Sequence, residues 1–383
     1  MVACRCFRVL SFSLFAVVLS VAQQVSLYSS QTTVAAPEKV PLEEVSTAQV
    51  PSLPAESMTT PVLCFPDGAI FMRPVSMEAG AQDPVSVSSD GKIVTGFGRE
   101  KINDIPQPNP YNAFMNDSDV YMLTQGHFPL GYEAKWRKPS GEVQSQPAMK
   151  SSPFVAHFHR DGTYVGSVPL ELPFKPIHLG VFGDGDFLIA GTDKDGPRVA
   201  IVGSNGQFRR FVELKGDVHA RDESDKPGRG KDPTALPRIR SGDNAEGSYM
   251  DVLYRSQIAR DGPNLLLFRP MNGPVFSISP SGAVQNHQLK MKGDYRLFTI
   301  KVTQGAWIAE LTHHLDDGTG NVFSLYAFDP ETGVPLREYL FPRDLGYGLA
   351  CTDGNEFTFV MADTERKRLK LLKLAPATLP KSD

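Results

Sequence analysis

The chain has 383 residues, with 39 Lys and Arg against 43 Asp and Glu and a formal net charge of −4. Charges of both signs are interspersed, which argues against a nucleic-acid binder and its concentrated basic face. Beyond the N-terminal region no stretch is long and apolar enough to cross a bilayer as a helix, which takes roughly 20 residues.

In chain order, Arg5 and Arg8 precede an apolar run from Val9 to Val21, and Ser20-Val21-Ala22 offers small residues at a cleavage point. This is the pattern of a secretory signal peptide over residues 1–22. It predicts a secreted or periplasmic protein; an uncleaved anchor is the alternative. Cys4 and Cys6 would leave with the signal, so only Cys64 and Cys351 reach the mature chain. Residues 23–58 are rich in Ser, Thr, Pro, Gln and Glu, without helical or strand period, and read as a flexible tether.

From residue 59 onward, polar turns recur. PDG precedes AIFMRPV, NDSD precedes VYMLTQG, GDGD precedes FLIAGTD, RDGPN precedes LLLFRP, TQG precedes AWIAELT and TDGNE precedes FTFVMAD. A second turn family interleaves with these: SSDG, HRDG, GSNG, SPSG and DPETG each lead into a further strand. Units of four antiparallel strands, repeated about every 40–50 residues, are the sequence form of a propeller blade. No unit carries the 3.6-residue apolar period of a helical repeat. The expected fold is an all-β, six-bladed β-propeller over residues 59–376, followed by a tail at 377–383. The sixth unit (YGLACT, FTFVMAD, RLKLLKL) ends at Pro376 with three strands. A segment near VPLEEV, residues 40–45, is a candidate for its fourth strand, with Pro41 confined to an edge or strand start. A three-stranded last unit is the alternative.

The fullest unit is PIHLGVFGDGDFLIAGTDKDGPRVAIVGSNGQFRRFVEL, residues 176–214. It resembles NHL-type and related six-bladed propellers in turn glycines and strand order, a resemblance that runs over residues 60–376. The resemblance implies a fold and no chemistry. Neither the metal-site carboxylates of propeller lactonases nor the histidine set of the amidating lyases stands at matching positions. In such a ring Cys64 and Cys351 fall on the innermost strands of the first and last units, which are neighbours. They are a candidate disulfide; two buried thiols are the alternative.

The long insertions, residues 99–113, 125–153, 215–248 and the stretch LTHHLDDGTGN at 311–321, all map to one end of the ring. Long loops on a rigid scaffold are where binding usually sits. The 125–153 loop offers His127, Tyr132 and Trp136, with Arg137 and Lys138 beside them. Tyr111, His178, Asp251, Arg255, Arg296 and Tyr347 are expected at the mouth of the central channel. His313 and His314 end a strand on opposite sides of its pleat, while Asp316-Asp317-Gly318 reads as a turn. His157 and His159 flank Phe158 and are assigned to packing or solvent rather than metal. No G-x-S-x-G or H-E-x-x-H motif is present. The sequence therefore predicts an exported binding module without a cofactor, holding a peptide, glycan or protein through His127, Tyr132, Trp136, His178, Arg255, His313 and His314. The alternative is a metal-assisted hydrolase or lyase, with His127, His178 and one of residues 313–317 around a divalent ion.

Overall fold

The computed structural model describes residues 36–377 except 117–118, 194–195, 215–255, 269–274, 292–294, 304, 315–320, 342–347 and 364. The expected signal segment 1–22 and the 215–248 insertion lie outside the described residues. So do Asp251, Arg255, the turn at 316–318 and Tyr347.

Among the described residues the chain is all-β, with one short 3-10 turn at Arg99–Lys101. Strand β1 (Glu38–Pro54) comes first. The first sheet holds β2 (Ser57–Cys64), β3 (Ile70–Ser76), β4 (Gly80–Ala81), β5 (Val85–Val87) and β6 (Ile93–Gly96). The second holds β7 (Asn109–Asn116), β8 (Asp119–Arg137), β9 (Val143–His159) and β10 (Tyr164–Pro169). The third holds β11 (Lys175–Val181), β12 (Phe187–Asp193), β13 (Gly196–Val202) and β14 (Phe208–Phe211). The fourth holds β15 (Gln257–Asp261), β16 (Asn264–Phe268), β17 (Val275–Ile278) and β18 (Val284–His287).

The remaining strands are β19 (Arg296–Thr303), β20 (Ala306–His314), β21 (Asn321–Phe328), β22 (Pro335–Leu340), β23 (Leu349–Asp353), β24 (Glu356–Asp363) and β25 (Arg368–Pro376). They share one eight-stranded sheet in the order β19-β20-β21-β22-β1-β25-β24-β23. Successive first strands lie side by side: β2 against β7, β7 against β11, β11 against β15, β15 against β19, β19 against β23, and β23 against β2. The antiparallel sheets are thus arranged as the blades of a propeller.

The burial pattern follows from that stacking. In the third sheet β12 begins with five consecutive buried residues, because neighbouring sheets cover both of its faces, whereas outer β14 is mostly exposed. Between the first and second sheets Phe97 meets Phe71 edge-on at 5.2 Å and Phe158 at 5.8 Å. Turns of the second family also carry a packing duty. Gly206 has φ +84°, and a side chain there would collide with the Pro169 carbonyl at the end of β10, in the preceding sheet. Gly162 and Gly333 press in the same way on β6 and on the chain just after β18. Gly91, in the first sheet, presses on Gln49 of β1.

Strand β1 departs from the tether that composition suggested for 23–58, and it contains residues 40–45, the candidate for the last unit's fourth strand, beside β25 of that unit. Glu38–Pro41 run parallel to Arg337–Leu340 of β22, and Leu42–Pro54 run antiparallel to β25. Leu42, Val50 and Leu53 are buried, while most of the residues between are exposed. A strand that joins a core already built by its neighbours needs few apolar residues of its own, so the composition carried little signal. Pro41 stands where the partner changes, and its carbonyl accepts from the Ala377 amide at 2.8 Å.

Cys64 of β2 and Cys351 of β23 form a disulfide with a Cα–Cα distance of 5.3 Å across 287 residues of sequence. It joins the first strand of the first sheet to the last first-strand of the chain.

Candidate functional site at the long-loop end

Strands β8 and β9 outrun their sheet. β7 pairs with β8 only as far as Gln125, and β10 pairs with β9 only from Phe154. Beyond those points β8 and β9 pair with each other alone, from Gly126↔Ser152 to Arg137↔Val143, with an irregularity between Pro129 and Glu133. The segment expected to be a loop at 125–153 is therefore a two-stranded arm. Its tip is closed by the Gly141 amide on the Lys138 carbonyl at 2.9 Å, with Gly141 at φ +88°. Pro139 opens that turn and Gly141 supplies its left-handed residue, the chemistry of a short hairpin connection.

The arm's base is anchored and its shaft is open. The His127 amide donates to the Pro106 carbonyl at 2.9 Å, and its ring Nδ1 lies 3.0 Å from the Ser151 hydroxyl opposite. Farther out, Leu130, Tyr132 and Val143 are 46%, 62% and 54% exposed. Trp136 pairs with Gln144 near the tip.

Beside the base opens a cavity of about 570 Å³, lined by Tyr111, Asn112, Lys175, His178, Ser256 and Gln257 among others. These residues stand near the starts of β7, β11 and β15, where β-bulges loosen the ladders: β7 carries a bulge between Pro110 and Asn112, and β11 one between Pro176 and His178. Side chains bridge the sheets there. The Asn112 side-chain carbonyl accepts from the Leu179 amide at 3.0 Å, and its Nδ2 sits 3.4 Å from His178 Nδ1. Tyr111 donates to the Pro176 carbonyl at 3.1 Å. One step round the ring, Gln257 donates to the Phe298 carbonyl and accepts from the Thr299 hydroxyl, both at 2.9 Å. Phe298 is itself the bulged residue of β19.

His178 is buried, so its ring forms part of the wall; Tyr111 and Lys175 reach the opening. The structure thus gathers Tyr111 and His178 at one cavity, puts His127 at the arm's base, and places Tyr132 and Trp136 along the arm. His313 and His314 end β20, opposite Val322 and Asn321. Asn112, Lys175 and Gln257 were not singled out from sequence. Their only signal is position at the head of a first strand.

A second cavity of about 470 Å³ lies toward the short-turn end, lined by Leu63, Phe65, Met115, Arg260, Lys301 and Asp353 among others. Lys301 donates to the Val62 carbonyl at 2.7 Å, tying β19 to β2. Burial pulls its pKa down to about 8, partly offset by Glu310. Glu310 is buried; desolvation pushes its pKa up to about 7, against the Gly348 and Leu349 amides that donate to it at 2.9 and 3.2 Å and against Lys301.

No helix among the described residues is long and apolar enough to cross a membrane. Among them, neither His127 nor His178 belongs to a group of three side chains able to share a metal ion.

No family model matches the chain, and no curated protein matches it. Solved structures with a similar trace include virginiamycin B lyase from Staphylococcus aureus, at 12% identity over 88% of this chain and 100% of that one, with a TM-score of 0.42. A protein of unknown function from Dyadobacter fermentans shows 10% identity over 88% of this chain and 99% of its own, with a TM-score of 0.45. YCF48 bound to D1 peptide shows 10% identity over 91% of this chain and 100% of that one, with a TM-score of 0.40.

Proposed function

We propose that the chain is a six-bladed propeller that holds an extended polypeptide partner at its long-loop end, outside the cytoplasm. The blade count takes the eight-stranded sheet as two blades, β19 to β22 and β23 to β25 with β1, joined where β1 changes partner. The contact of Gly91 with β1 supports it, because turns of this family pack on the outer strand of the preceding blade. The neighbour sequence of first strands, returning from β23 to β2, supports it as well. An oxidising compartment fits the disulfide and the signal-like N-terminal segment.

The binding reading rests on one observation, the β8–β9 arm. Its two strands have no third strand beside them among the described residues, so each outer edge offers unpaired backbone donors and acceptors. A polypeptide in extended form satisfies those groups and sets alternate side chains against the exposed Tyr132 and Leu130. The cavity shares Gln125, Ser151 and Pro153 with the arm's base and places Lys175 and Tyr111 within the same reach. That combination suits a partner segment bearing a carboxylate.

Selection of displayed peptides of about ten residues, enough to line one strand edge, tests the reading. Enriched peptides are expected to lose at least ~10-fold in affinity when residues 127–151 are replaced by a short Asn-Gly turn, and also in Lys175→Glu. Peptides that bind both variants as tightly as the parent would contradict it.

A further inference from the structure

We propose that Asp119, His157 and His159 form a binding site for a divalent transition-metal ion of the kind imidazole favours, with Zn2+ as the reference case. The site stands at the short-turn end of the second sheet, where β8 begins and β9 ends, so it is separate from the arm that the same strands build at their other end.

Strand geometry assembles it. Residues two apart on a strand share a face, which sets His157 and His159 together. The register places Asp119 directly opposite His159. His157 Nε2 lies 2.9 Å from Asp119 Oδ2, and His159 Nδ1 lies 3.0 Å from Asp119 Oδ1. One donor atom from each residue falls within 4.8 Å of the other two. Because one ring presents Nε2 and the other Nδ1, the nitrogens converge although the ring centroids are 5.7 Å apart. Ligand atoms around a tetrahedral ion with bonds of 2.0–2.2 Å sit about 3.3–3.6 Å apart. Each nitrogen now faces a different oxygen of Asp119, so the ion would need one oxygen to turn between the two rings and the three donors to settle at that spacing.

The donors are held in place before any ion arrives. Tyr121 stacks on His157 at 4.4 Å with 6° between the planes, and buried Phe158 pins the strand between the two histidines. Access is open, with the His159 side chain 56% exposed against 24% for His157 and 23% for Asp119. Three protein donors leave a fourth position to water or to an incoming ligand.

Isothermal titration of the tag-free mature chain, without residues 1–22 and so without Cys4 and Cys6, with Zn2+ is expected to show a single saturable site. His159→Ala, a change at an exposed position, and near-isosteric Asp119→Asn are each expected to weaken it by at least ~100-fold. Binding that neither substitution changes, or no saturable binding at all, overturns the proposal and leaves two histidines hydrogen-bonded to a carboxylate. Cu2+-loaded wild type provides a readout free of variants. Nitrogen hyperfine coupling from two imidazoles is expected in its electron paramagnetic resonance spectrum, and a spectrum without nitrogen coupling counts against the site.

Discussion

Glu310 and Lys301 are ionisable groups in places where water is scarce, and their partners only partly replace it. Glu310 accepts two backbone amides and feels Lys301, yet burial still raises its pKa from 4.5 to about 7. Between those values the unfolded chain is ionised while the folded one keeps its proton, so stability falls as pH rises through that window. Lys301 is displaced the other way, from 10.5 to about 8. Between about 8 and 10.5 the unfolded chain holds a proton that the folded one has released, so stability climbs with pH there. The pair therefore predicts a stability minimum between the two folded-state values. Urea unfolding is expected to show wild type losing roughly 2–3 kcal/mol between pH 5 and pH 7. Glu310→Gln removes the ionisable group while its single carbonyl keeps an acceptor for one of the two amides. The variant starts less stable but should hold level across that range, and an equal loss in it would remove the carboxyl as the cause. None of this was legible in the sequence. Glu310 occupies a strand position that reads as an ordinary polar residue until the start of β23 is laid against it. The same holds for Asn112 and Gln257, whose roles depend on bulges in β7, β11 and β19.

At the scale of elements, the repeated turns were the readable part, because Gly and Asp at fixed places encode backbone geometry locally. The arm shows how a correct signal is passed over. Lys138-Pro139-Ser140-Gly141 has the same turn chemistry as Ser279-Pro280-Ser281-Gly282, which was read as a hairpin. Its β8 flank does alternate, with Phe128, Leu130, Tyr132, Ala134 and Trp136 at every second position, but the β9 flank over residues 143–152 is mostly polar, so the two do not read as a pair of half-buried strands. Strand β1 escaped composition for a related reason, its core being supplied by β25 and its neighbours. Removing residues 1–56 is expected to bare the edge of β25 and the pockets of Leu42 and Val50, giving self-association on gel filtration. A synthetic peptide of residues 38–54 added in trans should restore the monomer. A truncated chain that stays monomeric and equally stable would show that β1 is dispensable.

For the molecule as described, residues 36–377, closure and display are two halves of one design. The disulfide, worth about 2–4 kcal/mol by restricting the unfolded chain, and β1 both act where the first and last sheets meet. A scaffold fixed in this way allows an arm to project without a packed partner. The sequence led to an expected binding face at the long-loop end, with candidates spread over the 125–153 segment, the channel mouth and His313-His314. The proposed function draws on the arm and the cavity at its foot, which bring His127, Tyr111 and His178 to one region. Hydrogen-exchange mass spectrometry of the protein alone and with a selected peptide measures this directly. The account predicts new protection in residues 126–152 and around Lys175–Leu179, with none in the turns near Asn116 and His159. Protection confined to the short-turn end, or spread evenly over the sheets, would contradict it.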